Sequence, residues 1–346
     1  MKPLIPGLTS LILFSVFLSA VHAEDRIRTY DNQSIPVTIT AMTPDVVSFN
    51  RSGMDDQKKV GEIDQITYEG EPAQFASARA DIAAGRYQEA RKLLQALNLA
   101  PTTREYIRAE RDFLVAQATA LFAFRGGDSS TSLKTAAADL ENFNTKNTKY
   151  YRYYEAMQLL GDLYLQMSET DKAQTTFTKL ASVKDAPMTQ ARGNLGLGKV
   201  LLAKGKAEGA KAEAAFKSVQ SQLNKGEIKS DITNIQMSVT LGLAQCAAIN
   251  GKFPEAKKLV QDVIDKLSPE DTKMNAQAYN TLGDALSQEG GKTKEAMIAY
   301  LHTHLLYNSD PITHYHAMAK LAVLFRTVDP GRAEQLDAER QKLYKK

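Results

Sequence analysis

The stretch Leu159–Leu180, LLGDLYLQMSETDKAQTTFTKL, constrains the fold of this 346-residue chain more than any other. Leu160, Gly161 and Tyr164 fall on one face of a helix, and Ala173, Phe177 and Leu180 follow at i, i+4 and i+7 on a second. Ser168-Glu169-Thr170-Asp171 interrupts the apolar pattern and marks the turn between them. The small residues Gly161 and Ala173 are expected to let the two backbones approach, with Tyr164 and Phe177 filling the space on either side. One such hairpin cannot bury its own apolar face, so it requires neighbours.

Degraded copies supply them. Ala78, Ala90, Leu94 and Leu97 repeat the pattern around Gly85-Arg86-Tyr87, and further copies lie at Leu195-Gly196 with Ala212 and Phe216, and at Leu241-Gly242 with Ala256 and Val260. Another opens at Leu282-Gly283 with Ala296 and Tyr300, and a last one lies near Leu321 and Ala333. Thr103–Asn144 is a helical pair by texture. Pro101, Pro187, Pro269 and Pro311 fall where one hairpin ends and the next begins, because proline stops a helix and can start another.

The order LG-x-x-Y, A-x-x-x-F, then proline resembles the tetratricopeptide repeat (TPR) family over Glu71 to Lys346, most clearly in the copies opening at Leu160 and Leu282. The chain departs from that family in spacing: Gly161, Gly196, Gly242 and Gly283 are 35, 46 and 41 residues apart, against a family period of about 34. Longer helices or loops in the middle repeats would account for this, and a HEAT-like solenoid with a period of roughly 40 to 47 is the alternative. The family's early Trp is absent throughout. The resemblance implies a right-handed α-solenoid whose first helices line a concave, partner-binding face. Carried over to the two clearest copies, that face comprises Glu155, Gln158 and Asp162 from one and Gln277, Asn280 and Asp284 from the other. The Lys and Asn pattern by which some family members clamp a C-terminal carboxylate is not visible there.

Upstream the texture differs. Met1–Ala23 reads as a signal peptide, with Lys2, an apolar run over Leu8–Leu18 and Val21-His22-Ala23 before the expected cut. No later stretch is expected to be long and apolar enough to span a bilayer, so no stable membrane insertion is expected once the leader is removed. Residues 24–70 hold β-branched runs at Arg26–Tyr30, Ile35–Met42, Val46–Asn50, Lys59–Gly61 and Gln65–Tyr68, with turns at 31–34, 43–45 and 52–56. Five short strands resemble a small all-β, SH3-like or Sm-like barrel. Nine acidic against five basic side chains in this segment argue against RNA. It is expected either to cap the first helical repeat or to bind a peptide or oligomerise.

The formal net charge of +3 gives no electrostatic case for nucleic acid as a partner, and a single cysteine, Cys246, excludes an intrachain disulfide. No phosphate loop, zinc helix or nucleophile elbow occurs, and no cofactor is expected. The glycine-rich run Gly193–Gly198 lies in a predicted helix, where it marks a close helix–helix contact. His302, His304, His314 and His316 gather within fifteen residues. Residues two apart on a helix diverge by about 200°, so neither close pair can chelate, but His304 and His314 are equidistant from the turn at Asn308–Pro311 and can meet. Those two are the candidate metal ligands. Tyr150, Tyr151, Tyr153 and Tyr154 supply either core or a binding surface, with Tyr151 and Tyr154 the candidate contacts.

The sequence thus predicts a mainly α protein: a leader (1–23), a small β domain (24–70) and about six to seven TPR-like hairpins (71–346). The expected function is a non-enzymatic, periplasmic or secreted scaffold for a protein partner in the cell envelope. A receptor for polysaccharide or peptidoglycan and a metal-binding protein using His302–His316 are the alternatives.

Overall fold

A computed structural model describes residues 24–128 and 131–344; the leader segment lies outside the described residues. The amino-terminal part is a five-stranded antiparallel sheet in the order β4-β3-β2-β1-β5, built from β1 (Asp25–Thr29), β2 (Ser34–Met42), β3 (Val46–Arg51), β4 (Met54–Lys59) and β5 (Ile63–Thr67). β2 serves two partners. Its first half pairs with β1, and beyond Val37 it pairs with β3 through a register shift between Ile39 and Ala41 that bends the sheet. The alternation in β1 buries Ile27 beneath the sheet, as its β-branched pattern requires.

One strand departs from the sequence-based expectation. Met54–Lys59 is β4, where a turn through Asp56 was expected, and Val60–Glu62 is a 3-10 turn, not a strand. The connection is a two-residue hairpin in which Ser52 (φ 54°) and Gly53 (φ 84°) are both left-handed, the geometry that matches strand twist. MDDQKK lies at the sheet edge with no fully buried residue, so hydrophobic alternation cannot announce it. Its charges protect an unpaired edge from pairing with another chain.

Seven helical hairpins follow among the described residues. The first three are α1 (Gln74–Ala83) with α2 (Tyr87–Gln95), α3 (Glu105–Phe124) with α4 (Leu133–Lys146), and α5 (Tyr153–Gln166) with α6 (Thr170–Ala181). Then come α7 (Pro187–Ala203) with α8 (Gly209–Asn224), and α9 (Ile232–Ile249) with α10 (Phe253–Ile264). α11 (Thr272–Glu289) with α12 (Thr293–Leu305) and α13 (Pro311–Phe325) with α14 (Pro330–Leu343) complete the array. Pro187, Pro311 and Pro330 each open a helix, where a missing N–H costs nothing. α7 and α9 run 17 and 18 residues against 14 for α5, and a 3-10 turn at Lys206–Glu208 precedes α8. These additions account for the stretched glycine spacing.

The glycines of the first helices act differently from the expected backbone approach. A Cβ on Gly161 would lie 2.7 Å from the Phe177 ring, and one on Gly196 would overlap the same ring from the next hairpin. Phe216 is seated in the same way between Gly198 and Gly242, and Tyr300 against Gly283. The small residue therefore makes a seat for the aromatic of the second helix. Only Gly193, whose Cβ would strike the Ala181 backbone, marks the close helix–helix contact expected of the glycine-rich run.

The β segment does more than cap the first hairpin. Its Ile27, Ile66 and Tyr68 share one continuous core with Phe75, Phe113, Tyr150, Leu163 and Phe177 of the first three hairpins. Buried charge stitches the joint. Glu110 on α3, 0% exposed, accepts hydrogen bonds from Arg79 (2.9 Å), Arg152 (3.3 Å) and Tyr150 (2.7 Å), and the Tyr150 hydroxyl lies 2.9 Å from that of Tyr68. Asp25 accepts from Arg104 at 2.6 and 3.0 Å and from the Ile39 and Glu69 amides.

α9 also revises an expectation: its 18 residues carry no charge and reach a mean hydropathy of 1.2, enough in length and composition to cross a membrane. Its apolar residues are interleaved with Thr, Asn, Gln and Ser, which hid it from a search for an unbroken run. Here Val239, Leu241, Ala244 and Cys246 are buried in the repeat array. Burial pushes the Cys246 thiol up to about 11, as expected of a packed, unreactive side chain.

Candidate functional site

The first helices of hairpins three to six enclose a groove of about 620 Å³. α5 contributes Glu155, Gln158 and Asp162, α7 Arg192 and Lys199, α9 Asn234 and Ser238, and α11 Lys273 and Gln277. Four of the six positions carried over from the repeat pattern thus meet in one concavity. Glu155 and Gln277, each six residues before a ring-seating glycine, are the equivalent pair that meets there, whereas Asn280 and Asp284, the equivalents of Gln158 and Asp162, do not reach it.

The groove is polar and of mixed charge. Glu155 is committed within the chain, its carboxylate 2.6 Å from Arg152. Asp162 is not hydrogen-bonded among the described residues; enclosure pushes its carboxyl above 3.8, and the opposing pull of Lys199 and Lys273 is smaller. Arg192 and Lys199, seven residues apart on the same face of α7, make no ion pair among the described residues. These cations were missed at the sequence level because α7 belongs to a poorly matched copy. Their signal was available in the i, i+7 spacing.

The other named positions lie elsewhere. Asn280 is buried, and its Nδ2 donates to the Thr313 carbonyl at 2.8 Å, tying α11 to α13. Asp284 accepts from Tyr300 (2.7 Å) and lies 3.1 Å from His316 Nε2. Burial raises that carboxyl, but the His316 hydrogen bond and charge, with Tyr300 and Lys320, outweigh it and leave the group below 3.8. Both residues are therefore corrected from partner contacts to links between hairpins. Tyr151 is corrected likewise: it is 3% exposed, and its hydroxyl accepts the Ile66 amide of β5 at 3.3 Å. Tyr154 is half-buried and hydrogen-bonds Asp45 of the β segment, which helps push its phenol up to about 12, burial being the larger cause.

The histidines divide. His302 stacks on Tyr279 at 4.3 Å and His316 faces Asp284, whereas His304 Nδ1 and His314 Nε2 meet at 2.8 Å across the turn. Among the described residues no group of three or more His, Cys, Asp or Glu is placed to hold a metal ion.

Fold and groove together define a helical-hairpin repeat protein with a TPR-type solenoid and a β domain fused to its first hairpins. The chain is similar to the crystal structure of a tetratricopeptide repeat protein from Parabacteroides merdae, with a TM-score of 0.51 and 14% identity over 78% of this chain and 91% of that one. It also aligns with the C-terminal part of a TPR repeat-containing protein from Cytophaga hutchinsonii, with a TM-score of 0.38 and 16% identity over 76% and 98%. No family model matches the chain, and no curated relative does.

Proposed function

We propose that this chain is a non-enzymatic, exported scaffold whose α5–α11 groove binds a protein partner of the cell envelope. The observation that carries the reading is the convergence of Glu155, Gln158, Asp162 and Gln277 on one polar groove that Arg192 and Lys199 also line. A polar concavity of this size suits a chain segment with several hydrogen-bonding groups better than a small apolar ligand. Export rests on the leader-like Met1–Ala23. Of the four clustered tyrosines that a glycan reading would use, Tyr150 and Tyr151 are buried and Tyr153 and Tyr154 are half-buried, which favours the protein-partner reading.

The test is capture from envelope extract by mature protein whose own mass is read first, with an N-terminus near Glu24 expected. A Gln158→Arg/Gln277→Arg variant fills the groove without touching the core. It is expected to retain at least tenfold less of the captured partner, with an unchanged thermal melt. Equal capture by both proteins would sink the groove assignment.

A further inference from the structure

The sheet has two outer strands, and the solenoid covers the edge of one of them. On β5 the Ile66 amide donates to the Tyr151 hydroxyl at 3.3 Å, and the Ile66 carbonyl accepts from Arg79 Nη2 at 3.5 Å. β4 is the other outer strand, and five of its six residues are exposed.

The ladder to β3 decides which β4 groups face outward. Arg51 and Met54 close the two-residue hairpin as a hydrogen-bonded pair. The alternation of an antiparallel ladder then turns the backbone groups of Met54, Asp56 and Lys58 towards β3, and those of Asp55, Gln57 and Lys59 away from it. Two contacts agree with this phase. The Val60 amide, next in the inward series, donates to the Asp45 carbonyl at 2.8 Å, and the Gln57 amide donates to the Asp56 side chain at 2.7 Å, as an amide outside the ladder does.

Asp55-Asp56-Gln57-Lys58-Lys59 is a charge palindrome about Gln57. Charged edges keep unrelated strands away, but an antiparallel copy of this strand presents the same charges in reverse order. With Gln57 of both copies on the dyad, Asp55 faces Lys59 of the other copy and Asp56 faces Lys58, twice over. The same register sets outward backbone groups against outward backbone groups, for up to six main-chain hydrogen bonds and four ion pairs. Sliding the copy by two residues sets Asp56 against Asp56 or Lys58 against Lys58, and a parallel copy sets like charges side by side. Direction and register are thus both selected. Within the chain these charges are little used: Lys58 meets the exposed Glu62 at 3.4 Å, while Asp55, Asp56 and Lys59 make no ion pair among the described residues.

We propose that β4 is a homodimerisation edge, on which a second copy of this chain pairs antiparallel about Gln57 and continues the sheet across the dyad. The inference stands on the β segment and is independent of the groove.

Sedimentation equilibrium of the mature chain over a concentration series tests it, with a reversible monomer–dimer equilibrium expected. Lys58→Glu/Lys59→Glu makes the edge wholly acidic and Asp55→Lys/Asp56→Lys makes it wholly basic. Each variant alone is expected to dimerise at least about tenfold more weakly than wild type, because every cross-dyad pair becomes repulsive. An equimolar mixture of the two restores attraction at every pair and is expected to give a heterodimer at least as tight as the wild-type dimer. Thermal melts of both variants should match wild type, since the changed side chains are outside the core. A wild-type chain that stays monomeric overturns the proposal, as does a dimer that neither variant weakens or a mixture no tighter than its components. Should a charge variant not fold, Gln57→Pro decides: it deletes an outward N–H that β3 does not use, so a monomer is expected and an unchanged dimer overturns the assignment.

Discussion

Phe177 lies with its ring against Gly161 of its own hairpin and Gly196 of the next, so a single aromatic couples two repeats. Gly196→Ala forces that ring to move in a core with no room, and overpacking of this kind costs about 1–3 kcal/mol. Urea denaturation should show a lower midpoint with an unchanged slope. The second residue of this kind is Glu110, whose charge Arg79 and Arg152 compensate out of water. Burial raises its carboxyl, but Arg152, Arg79 and the Tyr150 hydrogen bond outweigh this and hold it below 4.5. A depressed carboxylate stabilises the fold above its unfolded value and loses that contribution as pH falls through the folded one. Stability should therefore decline below pH 4.5 in the wild type and decline less in Glu110→Gln. At pH 7 that variant should be destabilised by about 3 kcal/mol, because two buried cations lose their shared partner. Equal urea midpoints at pH 7 would refute this. At this scale the repeat pattern made the ring-and-glycine pairs legible, yet it misplaced their purpose. Tyr151 was legible only as an aromatic, since its hydrogen-bond partner Ile66 is 85 residues away in the chain.

Among the elements, β4 and α9 were the least legible, for opposite reasons. β4 buries almost nothing, so no alternation marks it; α9 is apolar on more than one side because α8, α10 and α11 all pack around it. Both cases follow from the neighbours an element meets, which its own residues do not encode. The β segment behaves likewise. Read alone it is a five-stranded cap, but its Ile27 and Ile66 complete the core of α1, α3 and α5. Removing residues 24–70 from the mature chain should therefore unsettle the first three hairpins together. Limited proteolysis is expected to cut α1–α6 rapidly in the truncated protein while α9–α12 resist, and intact α1–α6 would show that the β domain is a dispensable cap.

Across the whole molecule, burial is divided into one large core, spanning the β segment and hairpins one to three, and smaller clusters that follow along the array. A stack joined by nearest neighbours need not unfold in one step. Native-state hydrogen exchange in rising urea should release α11–α14 before α3–α6, and a single shared transition would contradict that ordering. The type of hairpin, the joints at Pro187 and Pro311, and the polarity of the first-helix faces were determined by sequence alone, because helical period and proline geometry are local properties. Which polar residues face a common groove was decided only by the tertiary structure. Glu155, Gln158, Asp162 and Gln277 converge on it, while Asn280 and Asp284 are claimed by Thr313 and His316 of the following hairpin. Those choices depend on what each side chain meets after some thirty further residues have folded back beside it, a non-local outcome that repeat spacing does not contain.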